Sequence, residues 1–260
     1  MPKSKAVSAV VPPPSPQNLF AGTSGWAYPT WKPGFYPATV SAKNFLAHYA
    51  SRLNSVEVNY TFRQLPTPTQ LAGWLSAVPA GFRFSFKAPQ RITHFSRLVD
   101  TGAQLTAFLE SLQPAAEANK LGILLFQLPP NFKASPDRLE SFLASPSLKP
   151  PFRIAFEFRH DSWFTEETYT LLRQAKAALC IAEGDNLVTP EVHTAPDLAC
   201  FRLRRDGGYT SAEIAAQATK LSALAASGRE VYVYYRHQDE PTGALNAAEF
   251  LAKASQPEAR

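Results

Sequence analysis

The chain has 260 residues, 45% of them hydrophobic, and a net charge of +5, with a pI of about 9.2. That is enough apolar material for one large domain or two small ones without disulfide or metal staples. No apolar stretch reaches membrane-spanning length, the basic excess falls well short of a histone-like one, and the two cysteines, Cys180 and Cys200, sit in apolar runs without metal-ligand spacing.

In chain order, residues 1–17 read as a disordered tail, with Lys3 and Lys5 before Pro12-Pro13-Pro14 and no signal-peptide cleavage site. This predicts a cytoplasmic protein whose folded domain covers 18–256. Leu19–Thr23 is a short apolar strand. Ser41 is placed to cap a helix through Phe45, Tyr49 and Leu53. Ser55–Tyr60 is a strand, and Thr67-Pro68 opens a helix through Leu71, Leu75 and Val78. Strand Phe82–Ala88 leads to a long loop, Pro89–Asp100, and a helix through Leu105, Phe108, Leu109 and Leu112. Leu121–Leu128 is a strand stopped by Pro129-Pro130, and Ser135-Pro136 starts a helix through Leu139, Phe142 and Leu143. Strand Arg153–Arg159 precedes a helix capped by Thr165. Ala178–Ala182 and Leu198–Arg204 are strands. Ser211 begins an Ala-rich helix, and Val231–Tyr235 and Ala244–Ala254 are the last strand and helix.

Eight strands alternating with helices imply a parallel sheet under helical cover. Eight such units in this length fit a closed (β/α)8 TIM barrel, an α/β fold, better than an open sheet. The sixth unit is irregular, because Val188–Pro196 holds two prolines and no helical period. Phe82, Phe84 and Phe86 share one face of their strand and Arg83, Ser85 and Lys87 the other. The bulky face should meet the helices, and small residues such as Ser85 and Ala155 should fill the axis. In the last strand, Tyr232 and Tyr234 or Val231, Val233 and Tyr235 can face inward, and the pattern leaves both open.

Polar residues gather at the carboxyl ends of these strands: Glu57, Asn59, Lys87, Gln127, Glu157, Arg159, Arg202 and Arg204. In a barrel that end is the functional one. Glu57 and Glu157, about 6–10 Å apart by strand position, suit a general acid and base. A self-satisfied buried ion network is the structural alternative, although desolvation makes such networks costly. Lys87, Arg159, Arg202 and Arg204 suit a phosphate or carboxylate, with Asn59 and Gln127 orienting it and His94 closing over it from the loop. Trp26, Tyr28 and Trp31 after the first strand, and Trp163 after the fifth, either stack on a ligand or pack the loop bases. His94, His160 and His237 follow strand ends and, with Glu57, Glu157 or Asp185, could bind a divalent metal. No HxH, HExxH or CxxC spacing supports one, so no cofactor is predicted. P-loop and nucleophile-elbow motifs are absent.

The motifs Gly22-Thr23-Ser24-Gly25-Trp26-Ala27-Tyr28, Val56-Glu57-Val58-Asn59-Tyr60, Phe84-Ser85-Phe86-Lys87, Phe126-Gln127-Leu128-Pro129-Pro130, Phe156-Glu157-Phe158-Arg159-His160, Arg202-Leu203-Arg204 and Tyr234-Tyr235-Arg236-His237 together resemble the YecE-like family, the domain of unknown function numbered 72. The resemblance runs from about Leu19 to Ala254. It implies a TIM barrel with these motifs around its mouth and supplies no reaction. The expected activity is hydrolase- or isomerase-type acid/base chemistry on an anionic small molecule. A nucleic-acid binder and a non-catalytic scaffold are the alternatives.

Overall fold

The structure, a computed structural model, describes residues 17–148, 150–184, 187–237 and 239–256. The expected tail therefore lies outside the described residues except for Gln17, and so does Asp185. Eight strands run in the predicted order: β1 Leu19–Thr23, β2 Ser55–Val58, β3 Arg83–Lys87, β4 Leu121–Gln127, β5 Arg153–Glu157, β6 Ala178–Glu183, β7 Leu198–Leu203 and β8 Glu230–Tyr235. Their spatial order is β1-β8-β7-β6-β5-β4-β3-β2, and every pair is parallel. Helices α1 Phe45–Ala50, α2 Pro68–Ser76, α3 Gly102–Glu117, α4 Pro136–Leu143, α5 Glu166–Gln174, α6 Ser211–Ala226 and α7 Thr242–Ala254 lie between and after the strands. This is the expected (β/α)8 barrel. None of the described helices is long and apolar enough to cross a membrane.

The sixth unit is irregular as expected. After β6 an antiparallel bridge joins Glu183 to Val188, and among the described residues no helix forms before β7. Several strands stop short of their predicted ends. β2 ends at Val58, where the chain enters a 3-10 turn over Tyr60–Phe62. There the Thr61 hydroxyl lies within hydrogen-bonding distance of the carbonyls of Val58 (3.1 Å) and Lys87 (2.7 Å). Thr67 and Thr165 cap α2 and α5 through their side chains. Ser41 and Ser135 stand at helix starts but make no capping bond. Pro89–Asp100 is not wholly irregular, since Arg91–Phe95 forms one π-helical turn.

Strand parity divides the core in two. Outward residues such as Val56, Val58, Phe84, Phe86, Phe126 and Phe156 pack under the helices. Inside the barrel, Phe20, Ile123, Leu125, Ala155, Cys180, Cys200, Tyr232 and Tyr234 fill the axis. The inward face of β8 is thus the Tyr232/Tyr234 face. Cys180 and Cys200 are free buried thiols with Sγ atoms 3.3 Å apart. Burial pushes the Cys180 thiol up, so the pair serves as packing.

The barrel closes between β1 and β2 by side chains more than by a ladder. The two strands share one parallel bridge, Ser24 to Glu57. Asn54 spans the gap lower down, accepting from the Ala21 N–H (2.8 Å) and donating to the Leu19 carbonyl (2.9 Å). The Tyr49 hydroxyl accepts from the Thr23 N–H (2.8 Å) and donates to the Ser55 carbonyl (3.0 Å). Gly22 permits this approach, because a Cβ there would lie 1.8 Å from the Ser55 carbonyl oxygen.

Candidate functional site

The bridge that closes the barrel also places Ser24 beside Glu57 at the carboxyl-end mouth. Glu57 on β2, Glu157 on β5 and Arg202 on β7 all point inward and are 0%, 0% and 2% exposed. Arg202 holds both carboxylates. Its Nη2 donates to Glu57 Oε1 at 2.7 Å, and its Nη1 donates to Glu157 Oε2. Its Nη2 also reaches the Ser24 hydroxyl at 3.5 Å. Arg159, just past β5, pairs through Nε with the other Glu157 oxygen. Burial alone would lower the Arg202 pKa and raise that of Glu157. The charges of Glu157 and Glu57 outweigh burial and hold Arg202 above the ordinary arginine value. Arg202, Arg159 and Arg204 likewise hold Glu157 below the usual carboxylate range, so it is ionised.

Two further cations share this space without a carboxylate of their own. Lys87, on the inner face of β3, and Arg204, just past β7, form no ion pair among the described residues. The Lys87 ammonium instead sits 4.1 Å from the centre of the Phe62 ring, a cation–π contact. Burial, reinforced by the charge of Arg202, lowers the Lys87 pKa to about 8. The same two causes lower that of Arg204 to about 10. Lys87, Arg159, Arg202 and Arg204 therefore face Glu57 and Glu157 with an excess of two positive charges.

Around this cluster lie polar atoms that are buried and have no hydrogen-bond partner among the described residues: Glu57 Oε2, Asn59 Oδ1, His237 Nδ1 and Arg202 Nε. Buried polar atoms are normally satisfied, and these four are left over at the mouth. His237 stacks on Tyr28 with ring centres 5.2 Å apart. Burial lowers the imidazole pKa, and the Arg204 charge lowers it further. The Tyr28 hydroxyl donates to the Ser24 carbonyl at 3.0 Å. Burial, then the Glu57 charge, pushes its pKa up to about 12. Gly25, at φ 103°, makes room for this ring, since a Cβ there would lie 2.5 Å from the Tyr28 hydroxyl.

His94 also reaches the mouth. Its ring packs edge-on against Phe62 at 4.9 Å, and its Nδ1 is 2.8 Å from the Thr93 hydroxyl. Burial and the Lys87 charge lower its pKa. Arg97, Leu98 and Asp100, at φ 47°, 70° and 51°, fix the loop's path at a steric cost of about 1–2 kcal/mol each. Gln127 is half-buried on the inner face of β4, in register with Glu157.

Three of the candidates pack against protein, the alternative the sequence left open for the tryptophans. Trp163 is fully buried, stacks on Phe158 at 4.6 Å and donates its indole N–H to the Phe132 carbonyl at 2.8 Å. It packs the outer core and has no face on the mouth. His160 follows the outward residue Phe158 and spends Nδ1 on the Ser162 N–H at 3.2 Å, so it shapes the loop after β5. Trp26 packs edge-on against Trp74 of α2 at 5.4 Å. Conversely, Ser24 and Phe62 touch the cluster and were not singled out from the sequence. Ser24 continues the inward parity of Phe20 and Gly22, which was a readable signal; Phe62 lies on a turn, where parity says nothing. Among the described residues, no three His, Cys, Asp or Glu side chains gather as a metal site.

Fold and site together define a (β/α)8-barrel protein with a buried, net-positive, ion-paired cluster at its carboxyl-end mouth. Residues 20–260 match the family described as "Protein of unknown function DUF72", and the chain belongs to that family. It is 32% identical over 160 residues to the UPF0759 protein YecE of Escherichia coli K12, an alignment covering 60% of this chain and 54% of YecE. It is 28% identical over 155 residues to the UPF0759 protein YunF of Bacillus subtilis, covering 58% of this chain and 54% of YunF. The matched segments thus span about half the length of these curated relatives. Among solved structures, a DUF72 family protein of Thermotoga maritima (TM1631) superposes with a TM-score of 0.79 at 26% identity, covering 92% of this chain and 99% of the other. A DUF72 family protein of Enterococcus faecalis (EF0366) shares the fold, with a TM-score of 0.75 at 21% identity, covering 92% and 96%.

Proposed function

We propose that the mouth binds a phosphate- or carboxylate-bearing small molecule and acts on it by acid/base chemistry of the hydrolase or isomerase type. The observation that carries this reading is the pair of mostly buried cations, Lys87 and Arg204, left without carboxylate partners beside a cluster that already neutralises Glu57 and Glu157. Folding does not favour such groups, because desolvation of each outweighs the pull of Glu57 and Glu157. An anion supplies the compensation. Arg204 and Arg159 would then hold the anion, Asn59 and Gln127 orient the attached group, and His94 and the Tyr28–His237 stack wall it in. Glu157, kept ionised by its arginines, serves as electrostatic partner or base. Glu57, whose Oε2 is free, is the proton-transferring atom best placed to meet a substrate.

Titration calorimetry with inorganic phosphate tests the binding half. The wild type should bind, and Arg204→Met should weaken binding at least tenfold, about 1.4 kcal/mol. Phosphate binding that ignores Arg204→Met would sink the reading. The same titration repeated with a single-stranded oligonucleotide separates out a nucleic-acid partner, whose binding would drop steeply with salt. For the catalytic half, Glu57→Gln should abolish turnover of any sugar phosphate the wild type converts. Unchanged turnover would leave the mouth a ligand-binding scaffold.

A further inference from the structure

We propose that Lys87 is a nucleophilic amine that forms an imine with the carbonyl group of an anionic aldehyde or ketone bound at the mouth. This inference rests on the anion-binding reading above and narrows it to carbonyl compounds that carry a phosphate or carboxylate.

Three features of the position support it. First, Lys87 projects from the inner face of β3, half-buried, one inward position beyond Ser85, which pairs with Glu57, and it feels the charges of both Glu57 and Glu157. A lysine recruited only for charge would be expected to lie against a carboxylate. Its ammonium lies against the Phe62 ring instead, so no ion pair must be broken before its lone pair can react. Second, the groups that act on it are mixed: Glu57 and Glu157 as anions, Arg202 and Arg204 as cations, and His94 in the adjoining loop. Arg204 stands ready for the anionic end of a ligand, and Glu57 Oε2 is an unpartnered acceptor for protons leaving the nitrogen. Third, desolvation between cations favours the neutral amine, which is the general route by which enzymes activate lysine. With a pKa of about 8, about one molecule in ten carries the free amine at pH 7. At the ordinary value of 10.5 it would be about one in three thousand.

The step is closed in atoms and charge. The Nζ lone pair forms the C–N bond while the carbonyl π pair moves to oxygen. One nitrogen proton passes to that oxygen to give the carbinolamine. The second leaves the nitrogen as the oxygen departs in water, and C=N forms. No oxidant or reductant takes part.

The test uses the full chain and pyridoxal 5′-phosphate, which carries an aldehyde and a phosphate on one small ring. Adducts are fixed with sodium borohydride and located by peptide mass spectrometry. Pyridoxal, which lacks the phosphate, is run in parallel, and inorganic phosphate binding is measured on the same preparation. The expected result is a reducible adduct at Lys87. It should form at least tenfold faster than at the exposed Lys43 and Lys133 and at least tenfold faster than with pyridoxal, and inorganic phosphate should suppress it. Lys87 left unlabelled, or labelled no faster than the exposed lysines, while phosphate still binds would overturn the imine and leave the anion site standing. Equal labelling by both aldehydes would also overturn the proposal, because the anion would then play no part. Neither labelling nor phosphate binding would remove both readings together. The mapping is done on the wild type, so no outcome depends on a variant folding; Lys87→Arg, checked by circular dichroism, should lose the label.

Discussion

Lys87 shows at the scale of one side chain how a functional group can oppose stability. Its pKa of about 8, against an ordinary 10.5, means that the folded state holds its proton less tightly than the unfolded chain does. At neutral pH that difference amounts to about 3 kcal/mol of strain as an upper figure. Methionine has similar length and no charge to desolvate. Lys87→Met should therefore stabilise the protein by about 1–3 kcal/mol in urea denaturation at pH 7 while weakening phosphate binding. A destabilised variant would mean that the cation–π contact with Phe62 outweighs desolvation. Arg202 is the opposite case. It is buried with both Nη atoms on carboxylates, so Arg202→Met strands the buried Glu57, leaves Glu157 with Arg159 alone and should cost about 3–5 kcal/mol. The sequence marked both residues by inward parity. It could not separate the cation that is satisfied from the one that is not, because that depends on which carboxylates lie across the barrel.

At the scale of elements, the seam between β1 and β2 is where the barrel is most exposed to single changes. Asn54 stands in for ladder hydrogen bonds there, and Asn54→Ala would leave the Ala21 N–H and the Leu19 carbonyl unpaired. Each such buried group costs about 1–3 kcal/mol, so the variant should lose about 2–6 kcal/mol in denaturant midpoint experiments. Hydrogen exchange at Ala21 should rise with it, while the ladders between β3 and β5 stay protected. Protection lost evenly around the barrel would instead show that the seam is no weaker than the ladders. The strands were legible from alternation because each has an apolar outer face and a polar or small inner one. The missing sixth helix was legible from its prolines. The seam was not, because nothing local in Tyr49 or Asn54 says that they reach another strand. Nor could sequence show that Ser41 and Ser135 stand at helix starts without capping, or that Arg91–Phe95 winds into a π turn. Trp163 was left open between stacking and packing for a related reason: position after a strand places a residue in a loop but does not say which way its ring turns.

For the whole molecule, the uneven charge of the mouth predicts an unusual dependence of stability on pH. Glu157 is held below the usual carboxylate range. Its contribution is fully present above the ordinary value of 4.5 and is lost as pH falls through its folded value. Lys87 works in the other direction. Its penalty is complete below about 8 and disappears between about 8 and 10.5, where the unfolded chain binds more protons than the folded one, so stability rises with pH. Buried tyrosines end that rise. Burial pushes Tyr28 and Tyr232 up to about 12, so above about 10 the unfolded chain ionises first and stability falls again. The maximum should therefore lie between about pH 8 and 10, on the alkaline side of the common optimum of about 5–8. Urea denaturation at intervals from pH 4 to 11 measures the curve. Lys87→Met should remove the rise above pH 8 and leave the acid limb in place. Saturating phosphate should flatten the same rise by restoring the lysine's affinity for its proton, and binding near pH 8 should take up a fraction of a proton, read from the dependence of the calorimetric heat on buffer ionisation. A wild-type curve that declines from pH 7 upward would mean that Lys87 is charged at no cost, and the mouth would then have no need of an anion.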